Sequence, residues 1–330
     1  MTCKAHGRDC PRFRRLLLAL GVAACAGALF LAGWSFYIDR YYALPPALRL
    51  SIHRYPIPAG TRVDRDIEYV SSGGERRSLD LYLPPPTPQP PPLVVWIHGG
   101  SWLSGDKSNP PAVLLVAHGY AVASINYRYS TEAVFPAQII DCKSAVRFLR
   151  ARAADYGFDP DRIAAMGMSA GGHLASLLGT ARESEDLGGD EVDGVSSRVQ
   201  AVVVWAGPSD FLLMNRQALP GSSIDHEAPD QAKSLLIGGP VRQFPDRVRR
   251  ANPLAYASAD DPPFLIMHGD ADLIVPPGQS VTLAEGLRAA GVDARLILIP
   301  RGRHDEAVFT HRQWLDRVVE FLSRSLRNSR

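Results

Sequence analysis

Ile163-Ala164-Ala165-Met166 runs straight into Gly167-Met168-Ser169-Ala170-Gly171, and the segment His173 to Thr180 that follows has a helical pattern. A strand, a glycine-bordered turn and a helix are predicted in that order. A serine hydroxyl is a weak nucleophile. It becomes a useful one when a sharp turn lifts Oγ clear of the backbone, with a base beside it and donors ready for the oxyanion. GxSxG also arises by chance as a plain glycine-rich turn, so the rest of the chain has to supply the partners.

A nucleophile elbow requires an acid and then a histidine later in the chain, near the C-terminal ends of following strands. Pro263 to Met267 reads as a buried strand ending in His268-Gly269-Asp270-Ala271-Asp272, a turn that presents carboxylates at the sheet edge. Asp272 is taken as the acid, with Asp270 in the same loop as its rival. Arg295 to Ile299 reads as the last strand, and Pro300-Arg301-Gly302-Arg303-His304-Asp305 then offers one histidine on a loop. In this arrangement His304 takes the proton from Ser169, while Asp272 holds the imidazole tautomer and stabilises its cation. Asp305 and Glu306 compete for His304, or equally cap a following helix.

Upstream, Leu93 to Ile97 forms a continuous apolar strand ending in His98-Gly99-Gly100-Ser101-Trp102. The backbone amides of Gly100 and Ser101, with that of Ala170 after the nucleophile, are the expected oxyanion hole, each donor worth roughly 3 kcal/mol in such sites. His98 is expected to brace this loop. Trp102 and Phe211 are candidate substrate contacts, with ordinary core packing the alternative for both. Asp106, Lys107, Arg128 and Asp141 are expected to form ion pairs around the turn, and His173 to pack on the elbow helix.

These blocks together resemble the α/β-hydrolase superfamily, within it the hormone-sensitive-lipase-like branch, and most closely the bacterial BD-FAE-type esterases. The likeness runs from about Asp66 to Trp314. It includes Gly105-Asp106-Lys107, Asn126-Tyr127-Arg128, Phe135-Pro136-Ala137, Asp141 to Arg150, Asp159-Pro160-Asp161-Arg162, Gly171-Gly172-His173-Leu174-Ala175 and Val275-Pro276. It implies a serine carboxylesterase acting on a small-molecule ester with Ser169, Asp272 and His304 as its triad, needing neither metal nor other cofactor. Two positions depart from the family pattern. Ser101 stands where a third glycine is frequent, and Arg301, Arg303, Asp305 and Glu306 frame the histidine where small residues are usual. Isoprenylcysteine methylesterases and arylformamidases carry a similar HGGxW block, so both remain alternatives, as does a non-catalytic hydrolase-fold receptor. The family suggests short acyl esters, including acetyl or feruloyl groups on glycans.

The 36 basic residues nearly cancel the 34 acidic ones, which argues against a polyanion binder and leaves nucleic acid without a role. Residues 1–15 are basic, and Leu16 to Ile38 then runs 23 residues without a charge. At ~1.5 Å per residue that run crosses a ~30 Å hydrocarbon layer. Residues 16–38 are therefore expected to be a transmembrane signal anchor, with the N-terminus cytoplasmic and the catalytic domain outside. Small residues from Ala23 to Ala28 make a cleaved signal peptide, and a secreted or periplasmic product, the rival. Val22-Ala23-Ala24-Cys25 loosely resembles a lipoprotein processing box. Cys142 alone belongs to the hydrolase domain, where it reads as a small core residue.

Residues 39–62 read as a linker, and 63–330 as one α/β-hydrolase domain. Val63 to Val70 and Ser78 to Leu83 are expected to pair as a hairpin through Ser71-Ser72-Gly73-Gly74. Pro84 to Pro92, with seven prolines in nine residues, reads as a stiff connection between strands. Tyr120 to Ser124 and Ala201 to Trp205 are further strands, and Gln138 to Ala154 is an amphipathic helix. Strands alternating with helices imply a mostly parallel central sheet flanked by helices. Residues 208–253 break that rhythm and are expected to form a short cap over the active site.

Overall fold

Continuous apolar runs become strands covered on both faces. The computed structural model describes residues 55–71, 73–181, 187 and 194–326. Its eight strands are β1 (Arg62–Glu68), β2 (Ser78–Leu83), β3 (Leu93–Ile97), β4 (Ala121–Ile125), β5 (Ile163–Met168), β6 (Ala201–Trp205), β7 (Phe264–Gly269) and β8 (Ala294–Ile299). They form one sheet in the order β1-β2-β4-β3-β5-β6-β7-β8. The β1–β2 and β2–β4 pairs are antiparallel. From β4 to β8 every pairing is parallel. The first strand stops at Glu68, two residues short of the Val70 expected to end it.

The helices are α1 (Ala137–Ala151), α2 (Ala170–Thr180), α3 (Ala232–Ile237), α4 (Pro245–Arg250), α5 (Gly278–Ala289), α6 (Glu306–Thr310) and α7 (Arg312–Ser325). The helix expected to reach Ala154 breaks at Arg152 and resumes as a single turn, Ala153–Tyr156. On one face of the sheet Val95 and Ile97 pack with Ile139, Leu149, Leu174 and Leu177, and there Cys142 is an ordinary core side chain. On the other, Val94, Trp96 and Trp205 pack against Phe309, Val318, Phe321 and Leu322. The buried Leu315, Val318 and Leu322 of α7 fall three and four residues apart, one stripe of a helix facing the sheet.

The excursion of residues 208–253 lies between β6 and β7 and contains α3, α4 and shorter turns. Among the described residues no helix is long and apolar enough to cross a membrane. The expected anchor, Leu16 to Ile38, and most of the linker lie outside the described residues.

Candidate active site

Ser169 joins β5 to α2 at φ 55° and ψ −122°. A non-glycine residue held in this region costs on the order of 1–3 kcal/mol and persists only when its surroundings enforce it. Two observations supply the enforcement. Ser169 N–H donates to Trp205 O of β6 at 2.8 Å, and His173 N–H donates to Ser169 O at 3.0 Å. A Cβ on Gly171 would collide with the carbonyl oxygens of Ile97 and His98, so only glycine lets α2 approach β3 this closely. The Ser169 side chain makes no capping bond to its helix. The turn is therefore held by backbone, and the hydroxyl is not consumed in holding it.

The turn after β3 abuts this serine. A Cβ on Gly99 would stand 3.3 Å from Ser169 Cβ. Gly100, Ser101 and Trp102 have successive positive φ values of 103°, 58° and 58°. Gly100 O accepts from Leu103 N and Ser104 N, each at 3.0 Å. That reversal ties down the carbonyl side of the turn. Ala170 N–H opens α2, where the first amides lack partners within the helix.

His98 lies under the turn, stacked on Tyr127 with ring centroids 4.4 Å apart. Burial lowers its pKa to about 4, against a weaker opposing bond to Gly99 O. It is a neutral brace, and Tyr127 Oη donates to its carbonyl at 3.0 Å. Arg128 pairs with the buried Asp141 through Nη2 at 2.7 Å and Nε at 2.8 Å. Lys107 Nζ reaches Asp66 at 2.6 Å and Asp80 at 2.7 Å. Asp106, expected in an ion pair, instead accepts the Ser108 amide at 2.7 Å.

An unbroken ladder leads from the serine to the histidine loop. Ala206 N–H of the next rung donates to Met267 O at 2.9 Å, and Asp270 N–H to Ile299 O at 3.0 Å. The C-terminal ends of β5, β6, β7 and β8 thus form one rim, carrying Ser169, Asp272 and His304. A Cβ on Gly269 would strike the backbone of Gly302, so the acid loop and the histidine loop pass backbone to backbone.

Asp272 is fully buried, and its Oδ2 lies 2.6 Å from His304 Nδ1. A carboxylate only accepts, so Nδ1 carries the proton and Nε2 is left as the basic nitrogen. Asp270, the rival acid, spends Oδ1 on Arg301 N–H at 2.6 Å and so staples the two loops. Burial raises the Asp272 pKa, but the charge of His304 and hydrogen bonds from His268 and His304 outweigh it and hold the carboxyl well below the usual range. Burial likewise lowers that of His304, while Asp272, then Asp305 and Glu306, reverse the balance and leave it raised. Asp305 also caps α6, accepting from Ala307 N at 2.9 Å.

Trp102 and Phe211, considered as substrate contacts, are 5 % and 1 % exposed and form a three-ring cluster with His173. His173 Nε2 lies 2.6 Å from Ala251 O, tying the excursion to α2. Ser222 Oγ of the excursion donates to Leu273 O beside the acid at 2.9 Å. Among the described residues no three His, Cys, Asp or Glu side chains converge as a metal site. Sequence reasoning assigned no role to His268, whose Nε2 is 3.1 Å from Asp272 Oδ2. The four-residue spacing signals a shared face only on a helix, and here it spans a strand end and a turn.

A mostly parallel sheet with a serine elbow after one of its inner strands, and an acid and histidine on later loops, defines an α/β-hydrolase. The chain belongs to the BD-FAE family, whose model matches residues 79–287. It is 33% identical over 236 residues to the probable carboxylic ester hydrolase LipM of Mycobacterium tuberculosis (strain ATCC 25618 / H37Rv), covering 68% of this chain and 52% of that one. It is 29% identical to the probable isoprenylcysteine alpha-carbonyl methylesterase ICMEL1 of Arabidopsis thaliana, over 88% of this chain and 56% of the relative. A solved structure described as a truncated form of carbohydrate esterase from gut microbiota superposes with a TM-score of 0.73 at 33% identity, over 82% of this chain and 99% of that one. The chain spans about half the length of the curated relatives it matches.

Proposed function

We propose that the protein is a serine carboxylesterase. Ser169 Oγ attacks the ester carbonyl as His304 Nε2 takes its proton. The Gly100, Ser101 and Ala170 amides hold the oxyanion, and the proton passes to the departing alcohol. Water then enters, gives a proton to His304 and attacks the acyl-enzyme, releasing the acid and restoring the serine. One observation carries this reading: the 2.6 Å His304–Asp272 pair stands on the rim that also holds the backbone-enforced Ser169 elbow.

Short acyl esters, including those on glycans, are the proposed substrates, supported by the likeness to a carbohydrate esterase. Turnover of p-nitrophenyl acetate against longer acyl chains, beside Ser169→Ala, tests the reading. Equal rates for both proteins, or failure of a fluorophosphonate to label Ser169, reject it. The similarity to ICMEL1 over most of the chain favours a second reading, hydrolysis of a prenylcysteine methyl ester. Methanol release from such an ester, measured beside the acetate, separates the two.

The uncharged run Leu16 to Ile38 behind a basic flank supports a membrane anchor with the hydrolase domain on the extracytoplasmic side. N-terminal sequencing of the membrane fraction checks it, an intact Met1 or Thr2 being the expected result.

A further inference from the structure

His268, at the end of β7, is wholly buried and touches three groups. Its Nε2 lies 2.9 Å from Val275 O and 3.1 Å from Asp272 Oδ2, and its Nδ1 lies 2.7 Å from Ser280 Oγ. The carbonyl of Val275 can only accept, so Nε2 carries a proton. In the neutral ring Nδ1 is then the acceptor, and the Ser280 hydroxyl donates to it. The tautomer is decided by its neighbours, and the N–H it presents is shared between the carbonyl and the carboxylate.

The acid is saturated by these contacts. Oδ1 accepts Ile274 N–H at 2.8 Å and Val275 N–H at 3.0 Å. Oδ2 accepts both His268 and His304. Two amides of its own turn hold Oδ1 and His304 holds Oδ2; His268, reaching in from β7, is the fourth donor and the second on Oδ2, which further restricts rotation about the Cβ–Cγ bond. A donor also draws off negative charge, which moderates how strongly the same oxygen holds the proton on His304.

We infer that His268, locked by Ser280, is a positioning residue for the acid: it fixes the rotation of the Asp272 carboxylate and divides Oδ2 between two imidazoles. The catalytic part of this inference rests on the proposed triad. The contact itself does not.

The test uses His268→Leu, which deletes the donor, and His268→Gln, whose amide nitrogen can replace Nε2. Ser280→Ala, which removes only the hydroxyl that locks the tautomer, is the third variant. Two quantities are read on full-length protein: the NMR titration midpoint of the His304 imidazole, and the kcat and KM for p-nitrophenyl acetate across pH. Asp305 and Glu306 also face His304, and His226 of the excursion senses the Asp272 charge. None of these is altered by the substitutions.

With one donor removed, Oδ2 holds the Nδ1 proton more strongly. The His304 midpoint therefore moves to higher pH in His268→Leu, moves less in Ser280→Ala, and returns toward the parent value in His268→Gln. In His268→Leu kcat falls roughly tenfold with KM within about twofold, as expected for loss of one charge-assisted hydrogen bond. An unmoved midpoint in folded His268→Leu overturns the inference, as does a His268→Gln variant as impaired as His268→Leu. If His268→Leu does not fold, an unmoved midpoint in Ser280→Ala overturns it instead. A parent protein with no esterase activity whose midpoint still shifts in the variants refutes the esterase reading and leaves the His268 contact standing. An active parent with a fixed midpoint does the reverse.

Discussion

Asp272 and His304, 32 residues apart in the chain, are joined by a 2.6 Å hydrogen bond between Oδ2 and Nδ1. The bond exists because two strand-end loops pass each other at Gly269 and Gly302, where neither backbone leaves room for a side chain. Burial of the pair makes it an orienting device: the carboxylate stays ionised and the imidazole keeps its proton on Nδ1, which leaves Nε2 as the basic nitrogen.

Asp272→Asn retains the volume and loses the charge. Its amide nitrogen can donate to Nδ1 and drive the proton onto Nε2, the wrong tautomer for a base. kcat for p-nitrophenyl acetate is expected to fall about 10³- to 10⁴-fold with little change in KM. Activity above a tenth of the parent rate would remove Asp272 from the triad.

The raised pKa of His304 sets the acid limb of the rate profile. The base must be neutral, so kcat/KM should climb with pH through a midpoint above the ordinary 6.5. An activity plateau already complete at pH 6 would contradict this.

Stability should follow a different course, because the histidines differ in sign. His304, raised by folding, contributes stability in full below about pH 6.5 and loses it as pH rises through its folded value. His98 and His173, lowered to about 4 by burial, do the opposite. Between 6.5 and 4 the unfolded chain binds protons that these two refuse when folded, so stability falls as pH falls. Urea denaturation at pH 5 should show a lower midpoint than at pH 6.5. A higher one would mean that neither ring is buried neutral.

Gly171→Ala places a methyl group against the Ile97 and His98 carbonyls. Strand β3 or helix α2 must move, at a cost of roughly 3 kcal/mol or more. Chemical denaturation should register that loss. An alanine variant of parental stability would show that α2 does not press on β3.

Arg128→Ala leaves the Asp141 carboxylate, 1 % exposed, with the backbone N–H of residue 128 at 2.9 Å but without its guanidinium. Stripping one partner from a buried pair costs about 3–5 kcal/mol; the guanidinium here is 31 % exposed, which places the expected loss near the lower figure. Asp141→Asn, which removes the charge but keeps a hydrogen-bonding oxygen, should recover part of it in the same unfolding measurement.

Much of the sheet was legible from residue pattern. The bounds of β3 and β6 coincide with the runs Leu93 to Ile97 and Ala201 to Trp205, since strands covered on both faces need apolar side chains throughout, and those of β2 coincide with Ser78 to Leu83, where the buried Asp80 is paired with Lys107. The break at Arg152 was not legible, because the apolar spacing continues across it. Helix α7 announces itself through Leu315, Val318 and Leu322, yet it lies past the last motif residue, and a reading guided by motifs passes over it.

From the linear chain alone came the parts and their order: an elbow serine, a glycine turn upstream, a carboxylate loop and a histidine downstream. These follow from local rules, in which burial dictates apolar runs and tight turns demand glycine. Choosing between Asp270 and Asp272, revealing His268 behind the acid, and sending Trp102 and Phe211 into a ring cluster with His173 needed the folded molecule. Each depends on which way a side chain leaves a loop and on how closely two distant backbones approach, and no local pattern of residues records either quantity.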